Sequence, residues 1–348
     1  MSGVEPVAEG RTMEFRDEEI FEKLPGQEVR VGNIGKAIGA LWDQGPLESG
    51  EAPSEFRASQ MNLVIHFGRA TTAAEAQEKF AVALRFSQRY PCRIIALCPD
   101  PRTPEEFMLR AKVYGQCYVG KSRREMACCE AVILAYPKES KDFLENQVSI
   151  LLEGDLPVYY WIHKFTSASK VPDYFGFLSQ CKRVIYDSGI ENEDFAKLAW
   201  PEGTQVRDMV YARLLPVRQM IGQFMSSFTP EAIVDSLKGA RLRAPESHAA
   251  LVRVLGEWID KRLEGCRAAV PGTAALPEIE YALQNEKDSD GKMCFCLHYG
   301  NDQHLRWLAD LENHKATIEA KFDGVERELP MPLEFLTPAK ELGEAFFF

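Results

Sequence analysis

Two rhythms of apolar and polar positions divide the chain. Over residues 31–42, Val31, Ile34, Ile38, Leu41 and Trp42 recur at helical spacing, which predicts a short helix with one apolar face. From residue 61 the pattern changes to compact apolar runs: 61–67 (MNLVIHF), 93–98 (RIIALC), 130–136 (EAVILAY), 156–163 (LPVYYWIH) and 183–187 (RVIYD), with a shorter strand predicted at 117–119. Between them, 72–90, 146–153 and 175–180 read as helices. Runs that stay apolar rather than alternating predict strands covered on both faces. Residues 55–200 are therefore expected to form a three-layer α/β domain around a mixed sheet.

Beyond this region the rhythm changes again. Residues 207–228 are helical in pattern, with Pro216 imposing a kink or break. Thr229-Pro230 marks a boundary, and in 249–263 Leu251, Val254, Leu255, Trp258, Ile259 and Arg262 trace one helical stripe. After Pro271, the stretches 278–284, 292–299 and 305–322 alternate like half-buried strands, joined by hairpin signals such as Asp323-Gly324. The expected organisation is a flexible lead (1–25), an α/β domain with flanking helices (26–228) and a smaller C-terminal α+β domain (229–348) with a mostly antiparallel sheet. A turn-rich acidic linker is read at 45–53.

Length and charge narrow the class. The 348 residues suit about two domains. Asp plus Glu total 52 against 41 Lys plus Arg, a net charge of −11 that argues against nucleic acid or an anionic membrane as partner. No apolar run approaches the ~20 residues of a spanning helix. Residues 1–10 lack the basic start and apolar middle of an export signal, so a cytoplasmic location is expected, with the nine cysteines as free thiols.

A search for chemistry finds no phosphate-binding loop, no dinucleotide fingerprint and no nucleophile elbow; Gly32-x-x-Gly35 lacks a leading strand. No catalytic residue, metal site or cofactor is predicted. Cys128 and Cys129 lead into an apolar strand, where thiols are usually buried small hydrophobes. Cys294 and Cys296 share one face of a strand that His298 continues, but a tetrahedral metal site lacks its fourth ligand. These four cysteines are candidate redox thiols. His66, Arg69, His163 and Asp187 fall at or just after strand ends, where open α/β sheets present ligands. They define an alternative reading: a site for a sugar phosphate or nucleotide, in a sensor or an enzyme. The end of the aromatic run, with Trp161 and His163, offers a competing protein-binding surface, as does the 207–228 helix with Arg213 and Arg218 among large apolar residues. Arg123-Arg124 and Lys182-Arg183 are too short to make a basic patch.

The order of several segments resembles one family, the OpcA proteins, which are glucose-6-phosphate dehydrogenase assembly proteins of bacteria. The resembling pieces are VGNIGKAIGALWD at 31–43, RASQMNLV at 57–64, YPCRII at 90–95, Cys128-Cys129-Glu130, DLPVYYW at 155–161, RVIYDS at 183–188, and a 208–224 helix carrying Arg213-Leu214 and Pro216-Val217-Arg218. Tyr90 and Cys92 stand where the family usually has His and Ser, and Tyr211 and Val217 where it has tryptophans. The C-terminal third matches only in outline. The resemblance implies a non-catalytic partner that binds glucose-6-phosphate dehydrogenase and promotes its oligomeric assembly or allosteric activation. That role would raise NADPH supply in the oxidative pentose phosphate pathway. In photosynthetic relatives the family is linked to redox control by thioredoxin. On this reading the rim around Arg69, Arg93, Trp161 and Asp187, together with Arg213 and Arg218, is expected to contact the enzyme.

Overall fold

The computed structural model describes residues 19–42, 59–100, 110–119, 126–136, 141–191, 195, 197–272, 274–285, 290–300, 302–322 and 324–348. The mixed α/β fold with two sheets expected from the sequence is the one observed. The first sheet contains β1 (Gln27–Val29), β2 (Met61–Phe67), β3 (Cys92–Pro99), β4 (Ala111–Val119), β5 (Met126–Tyr136), β6 (Val158–His163), β7 (Arg183–Tyr186) and β8 (Val206–Asp208). Its order is β1-β4-β5-β3-β2-β6-β7-β8. From β5 to β8 the neighbours are parallel, and β4 and β1 extend one edge in antiparallel register.

Why these runs read as continuously apolar is visible in the two cores. Leu63, Ile65 and Phe67 face one core with α1 (Ile20–Lys23), α3 (Ala73–Ser87) and α10 (Pro338–Phe347). Val64, Ile95 and Leu97 face the other, with α2 (Ile34–Trp42) and α5 (Phe175–Leu178). Alternate side chains enter opposite cores, so no position of a central strand is left for a solvated residue. Helix α4 (Lys141–Leu151) starts earlier than the periodicity suggested.

The second sheet runs β10-β9-β11-β12-β13-β14, from β9 (Leu237–Pro245), β10 (Ile279–Gln284), β11 (Lys292–Tyr299), β12 (His304–Asp310), β13 (Lys315–Phe322) and β14 (Val325–Pro332). Only β9 and β10 pair in parallel. Its buried face packs against α7 (Leu215–Met225), α8 (Pro230–Val234) and α9 (Ala249–Ala269). The other face carries Glu280, Arg241, Cys296, Arg306 and Glu319 in one cross-strand row.

Several expectations are corrected. The last part of the lead is folded: Ile20, Phe21 and Leu24 are buried, and the Lys112 ammonium donates to the carbonyls of Phe21, Glu22 and Leu24. Residues 1–18, the 45–53 linker and Arg123-Arg124 lie outside the described residues. The strand expected at 117–119 spans the whole of β4, and the single stretch 305–322 is two strands, β12 and β13. Pro216 does separate two helices, α6 (Met209–Arg213) and α7, sitting in the first turn of α7 where its missing N–H costs nothing.

Candidate functional site

Sheet order reverses direction between β2 and β6, and the crevice beyond their carboxyl ends is where an open α/β sheet ordinarily takes a ligand. Here it is shut. The Gly68 N–H donates to the His163 carbonyl at 2.7 Å, and a Cβ built on Gly68 would fall 2.1 Å from the Lys164 carbonyl oxygen. Only glycine lets the two backbones approach so closely. Glu191 fastens the same turn by accepting the N–H groups of Lys164 and Phe165 at 2.5 and 3.1 Å. Burial pushes the Glu191 carboxyl up to about 7 despite those two donors.

The histidines of the rim are inside the protein. His66 is 1 % exposed, with Nδ1 2.5 Å from the Tyr160 hydroxyl and the rings of Tyr136, Phe165 and Tyr174 edge-on around it. Desolvation lowers its pKa to about 3. His163, with Thr71 Oγ1 3.1 Å from its Nδ1, is lowered to about 4, again chiefly by burial. Neither matches the proton affinity that general-base work near neutral pH needs. Beside them, Lys164 pairs with Glu75 at 2.5 Å. Arg213 bridges Asp187 at 2.6 Å and Glu341 of α10 at 2.8 Å. Lys164 with Glu75, and Arg213 with Asp187 and Glu341, are thus paired within the rim.

Arg93 belongs to a different place, the amino end of β3. Its guanidinium holds the buried Glu130 at 2.6 Å and donates to the Leu151 carbonyl, while Trp42 Nε1 donates to the other Glu130 oxygen at 3.0 Å. Asn62 likewise ties β2 to the turn before β6, accepting from Glu153 N–H and donating to the Glu153 carbonyl. Segments that carried the family resemblance thus meet as internal fastenings: Trp42 with Glu130 and Arg93, and Asp187 with Arg213.

Of the six residues expected to contact the enzyme, three are buried, while Arg93 and Arg213 are half-buried. Trp161 is 1 % exposed and lies in the core, because both faces of β6 are covered. Asp187 and Arg218 are also buried; Arg218 stacks 3.5 Å above the Tyr211 ring and donates to the Tyr211 carbonyl. Arg69 is exposed. The structure brings Asp187 and Arg213 together and leaves Arg93 at the opposite end of the sheet. Glu341 and Glu191 were missed, since nothing local in their sequence neighbourhoods signals a tertiary partner.

The thiols divide more sharply. Cys128 is not free: it is joined to Cys117 across β4 and β5, where the two residues are direct antiparallel partners with Cα atoms 4.0 Å apart. The expectation that all nine cysteines are free thiols is corrected accordingly. Cys129 is buried and its pKa raised by desolvation, which makes it a poor nucleophile. Cys294 and Cys296 do meet, with Sγ atoms 2.8 Å apart on the helix-free face of the second sheet. The Cys294 contact, supported by the charges of Arg306 and Arg243, lowers Cys296 to about 7.

The fold and its rim define a mixed α/β protein whose usual ligand crevice is closed by its own backbone, with Lys164, Asp187 and Arg213 held in internal ion pairs. Comparison with known proteins places it further. Residues 83–200 match the family described as "Glucose-6-phosphate dehydrogenase subunit N-terminal domain". The "Putative OxPP cycle protein OpcA" of Synechocystis sp. is 24% identical over 218 residues, 58% of this chain and 44% of that protein. Its namesake from Nostoc punctiforme is 26% identical over 189 residues, 53% of this chain and 40% of that one. Residues 83–200 are thus similar to an OpcA-type domain, in line with the sequence resemblance. Its match spans less than half the length of either relative. A crystal structure of glucose-6-phosphate 1-dehydrogenase from Mycobacterium avium aligns with a TM-score of 0.44 and 12% identity, covering 83% of this chain and 87% of that one. No helix among the described residues is long and apolar enough to cross a membrane.

Proposed function

We propose that this protein is a non-catalytic partner of glucose-6-phosphate dehydrogenase that promotes its oligomeric assembly and allosteric activation, and so the NADPH output of the oxidative pentose phosphate pathway. The family relationship supplies the partner. The observation that supports a non-catalytic role is the closed switch-point crevice, where the Gly68 N–H meets the His163 carbonyl and the flanking histidines are buried and neutral. An activator of this kind acts by binding the active oligomer more tightly than the inactive form, and about 1.4 kcal/mol of differential affinity shifts that equilibrium tenfold. Arg69 is the member of the expected contact set that remains on the surface, and we assign it to the interface, with Arg213 holding the rim in shape behind it. Redox control in this reading runs through Cys294 and Cys296: oxidised thioredoxin takes their two electrons and two protons by thiol–disulfide exchange, becoming the dithiol as they become a disulfide, and reduced thioredoxin reverses the step. A cytoplasmic location belongs to the same reading.

The test is the rate of the same organism's purified glucose-6-phosphate dehydrogenase against substrate, with and without micromolar excess of this protein, with mass photometry on the same samples. A lowered KM or raised kcat together with a heavier species supports the reading, and Arg69→Glu should weaken both effects. No change in either readout, in reducing and in oxidising buffer, overturns it.

A further inference from the structure

A cavity of about 540 Å³ opens between the β8 edge of the first sheet and α9, well away from the closed crevice. That volume is within the ~300–1,000 Å³ of ligand-binding pockets. Its two walls differ in chemistry. On the sheet side stand Tyr186, Phe195 and Trp200, with the Tyr186 and Trp200 rings stacked at 25° and 6.4 Å and Phe195 5.7 Å from Tyr186. Tyr186 ends β7, so this wall belongs to the carboxyl edge of the parallel strands. On the helix side, Arg253, Glu257 and Lys261 follow at four-residue spacing along one stripe of α9, with Arg262 beside them.

Charge in the cavity is unbalanced. Its two side-chain carboxylates are already engaged: Glu257 accepts from Arg253 at 2.8 Å, and Asp208 accepts the N–H groups of Val210 and Ser188 and lies 3.5 Å from Arg253. Among the described residues, Arg207, Lys261 and Arg262 have no carboxylate within ion-pair distance. Arg207 donates to the Val206 carbonyl, and Arg262 lies 6.0 Å over the Trp258 ring. Lys261 and Arg262 thus line the wall opposite the half-buried Tyr186 and Trp200 rings, with Arg207 on the β8 edge.

We propose that this groove binds a nucleotide, with the base against Trp200 and Tyr186 and the phosphates on Lys261, Arg262 and Arg207. An aromatic wall alone would suit any apolar ligand, and a cationic wall alone any phosphate. Both together across one cavity select a planar ring that carries phosphate, because every base offers a π-face and each phosphate oxygen accepts charge-assisted hydrogen bonds. The groove uses neither the rim residues nor the thiol pair, and its occupancy does not depend on the dehydrogenase reading.

The experiment is isothermal titration of the intact chain with ADP, alongside adenosine and inorganic phosphate as half-ligands. Saturable binding of ADP is expected, tighter than of either half-ligand and weakening as salt rises. The Lys261→Ala/Arg262→Ala variant, which alters two exposed side chains and should unfold like the parent, is expected to lose about tenfold or more in affinity. Trp200→Phe, with one aromatic ring still in place, should retain binding but lose most of the tryptophan quenching that accompanies it. Absence of saturable heat with ADP up to about 1 mM, a weaker limit than ordinary nucleotide sites show, overturns the proposal. So does ADP binding that the double variant leaves unchanged. If the double variant instead abolishes dehydrogenase binding while ADP gives no heat, the groove is a protein-docking surface and the nucleotide assignment fails.

Discussion

Replacing Arg213 with alanine should destabilise the fold by an amount that depends on pH in a defined direction. Arg213 is the cation between Asp187 and Glu341, whose side chains are 10% and 4% exposed. Burial raises the Glu341 carboxyl to about 7, and Arg213 is the main influence holding it from rising further. Because this folded-state value lies above the ordinary 4.5, the native state holds the proton more tightly than the unfolded chain between pH 4.5 and 7. Stability from this group therefore falls as pH rises through that window, by on the order of 3 kcal/mol in all. Removing Arg213 leaves two buried carboxylates without their cation, and breaking such a pair costs about 3–5 kcal/mol. The lower end applies here, since the Arg213 side chain is 27% exposed. Urea unfolding followed by tryptophan fluorescence should show Arg213→Ala about 3 kcal/mol less stable at pH 8.5 and less affected at pH 5, where Glu341 is already protonated and only Asp187 loses its cation. Adding Glu341→Gln to the variant should recover most of the loss at pH 8.5. A loss equal at both pH values, or one below about 1 kcal/mol at pH 8.5, would refute the assignment of Arg213 as counter-ion to a buried, strained pair of carboxylates.

Other expectations are as direct. Gly68→Ala places a methyl 2.1 Å from the Lys164 carbonyl oxygen and should cost about 3 kcal/mol in chemical denaturation; a neutral result would mean that the β2 and β6 ends are looser than described. In denatured, unreduced protein a thiol reagent should titrate the seven free cysteines, rising by two after reduction of the Cys117–Cys128 bridge; nine at once would remove the bridge from the structure. With 11 residues separating its ends, that bridge should contribute roughly 3 kcal/mol by constraining the unfolded chain, read as the stability lost in Cys117→Ser. Iodoacetamide should modify Cys296 first, with a half-maximal rate near pH 7, while the fully buried Cys92 and Cys98 stay unreacted in the folded protein; peptide mapping that finds Cys98 ahead of Cys296 would contradict the assigned environments.

Where the sequence was readable, burial had left a periodic mark. The central strands of the first sheet were found because each is covered on both faces, so that positions such as Ile94, Ile95, Ala96 and Leu97 are all apolar. β9 escaped because its inward positions are Ala240, Leu242 and Ala244 between arginines, a correct period with little apolar weight. β14 escaped for the opposite reason: it is an exposed edge with prolines at 330 and 332, so neither alternation nor composition marks a strand. His66, Arg69, His163 and Asp187 do fall at or just after strand ends, but around a closed crevice. Whether Arg69, Arg93 and Trp161 share a surface depends on strand order and on which end of a parallel strand each occupies, and neither is encoded locally. The same limit hid the partners of Arg213, which are separated from it by 26 and 128 residues. Family resemblance supplied the kinship, while the tertiary structure shows that several of the resembling side chains are fastenings between segments.

Those fastenings also bear on how the two sheets are coupled. The second core begins at Val210, before the boundary expected at 228, and recruits Leu214, Val217 and Ile221 from α6 and α7. The chain then returns: α10, at the far C-terminus, places Leu342, Ala345 and Phe346 in the first core, and its Ala345 carbonyl accepts a hydrogen bond from Arg183. Burying Leu342 and Phe346 is worth about 1.5–3 kcal/mol each, which together is comparable to the lower range of whole-domain stabilities. Each lobe is therefore completed by a segment that sequence order would assign to the other, and neither core closes without the crossing. Arg213 and Glu341 sit where the two crossings touch, one on α6 and one on α10. Weakening that contact, as Arg213→Ala does, should therefore loosen both cores together rather than one alone.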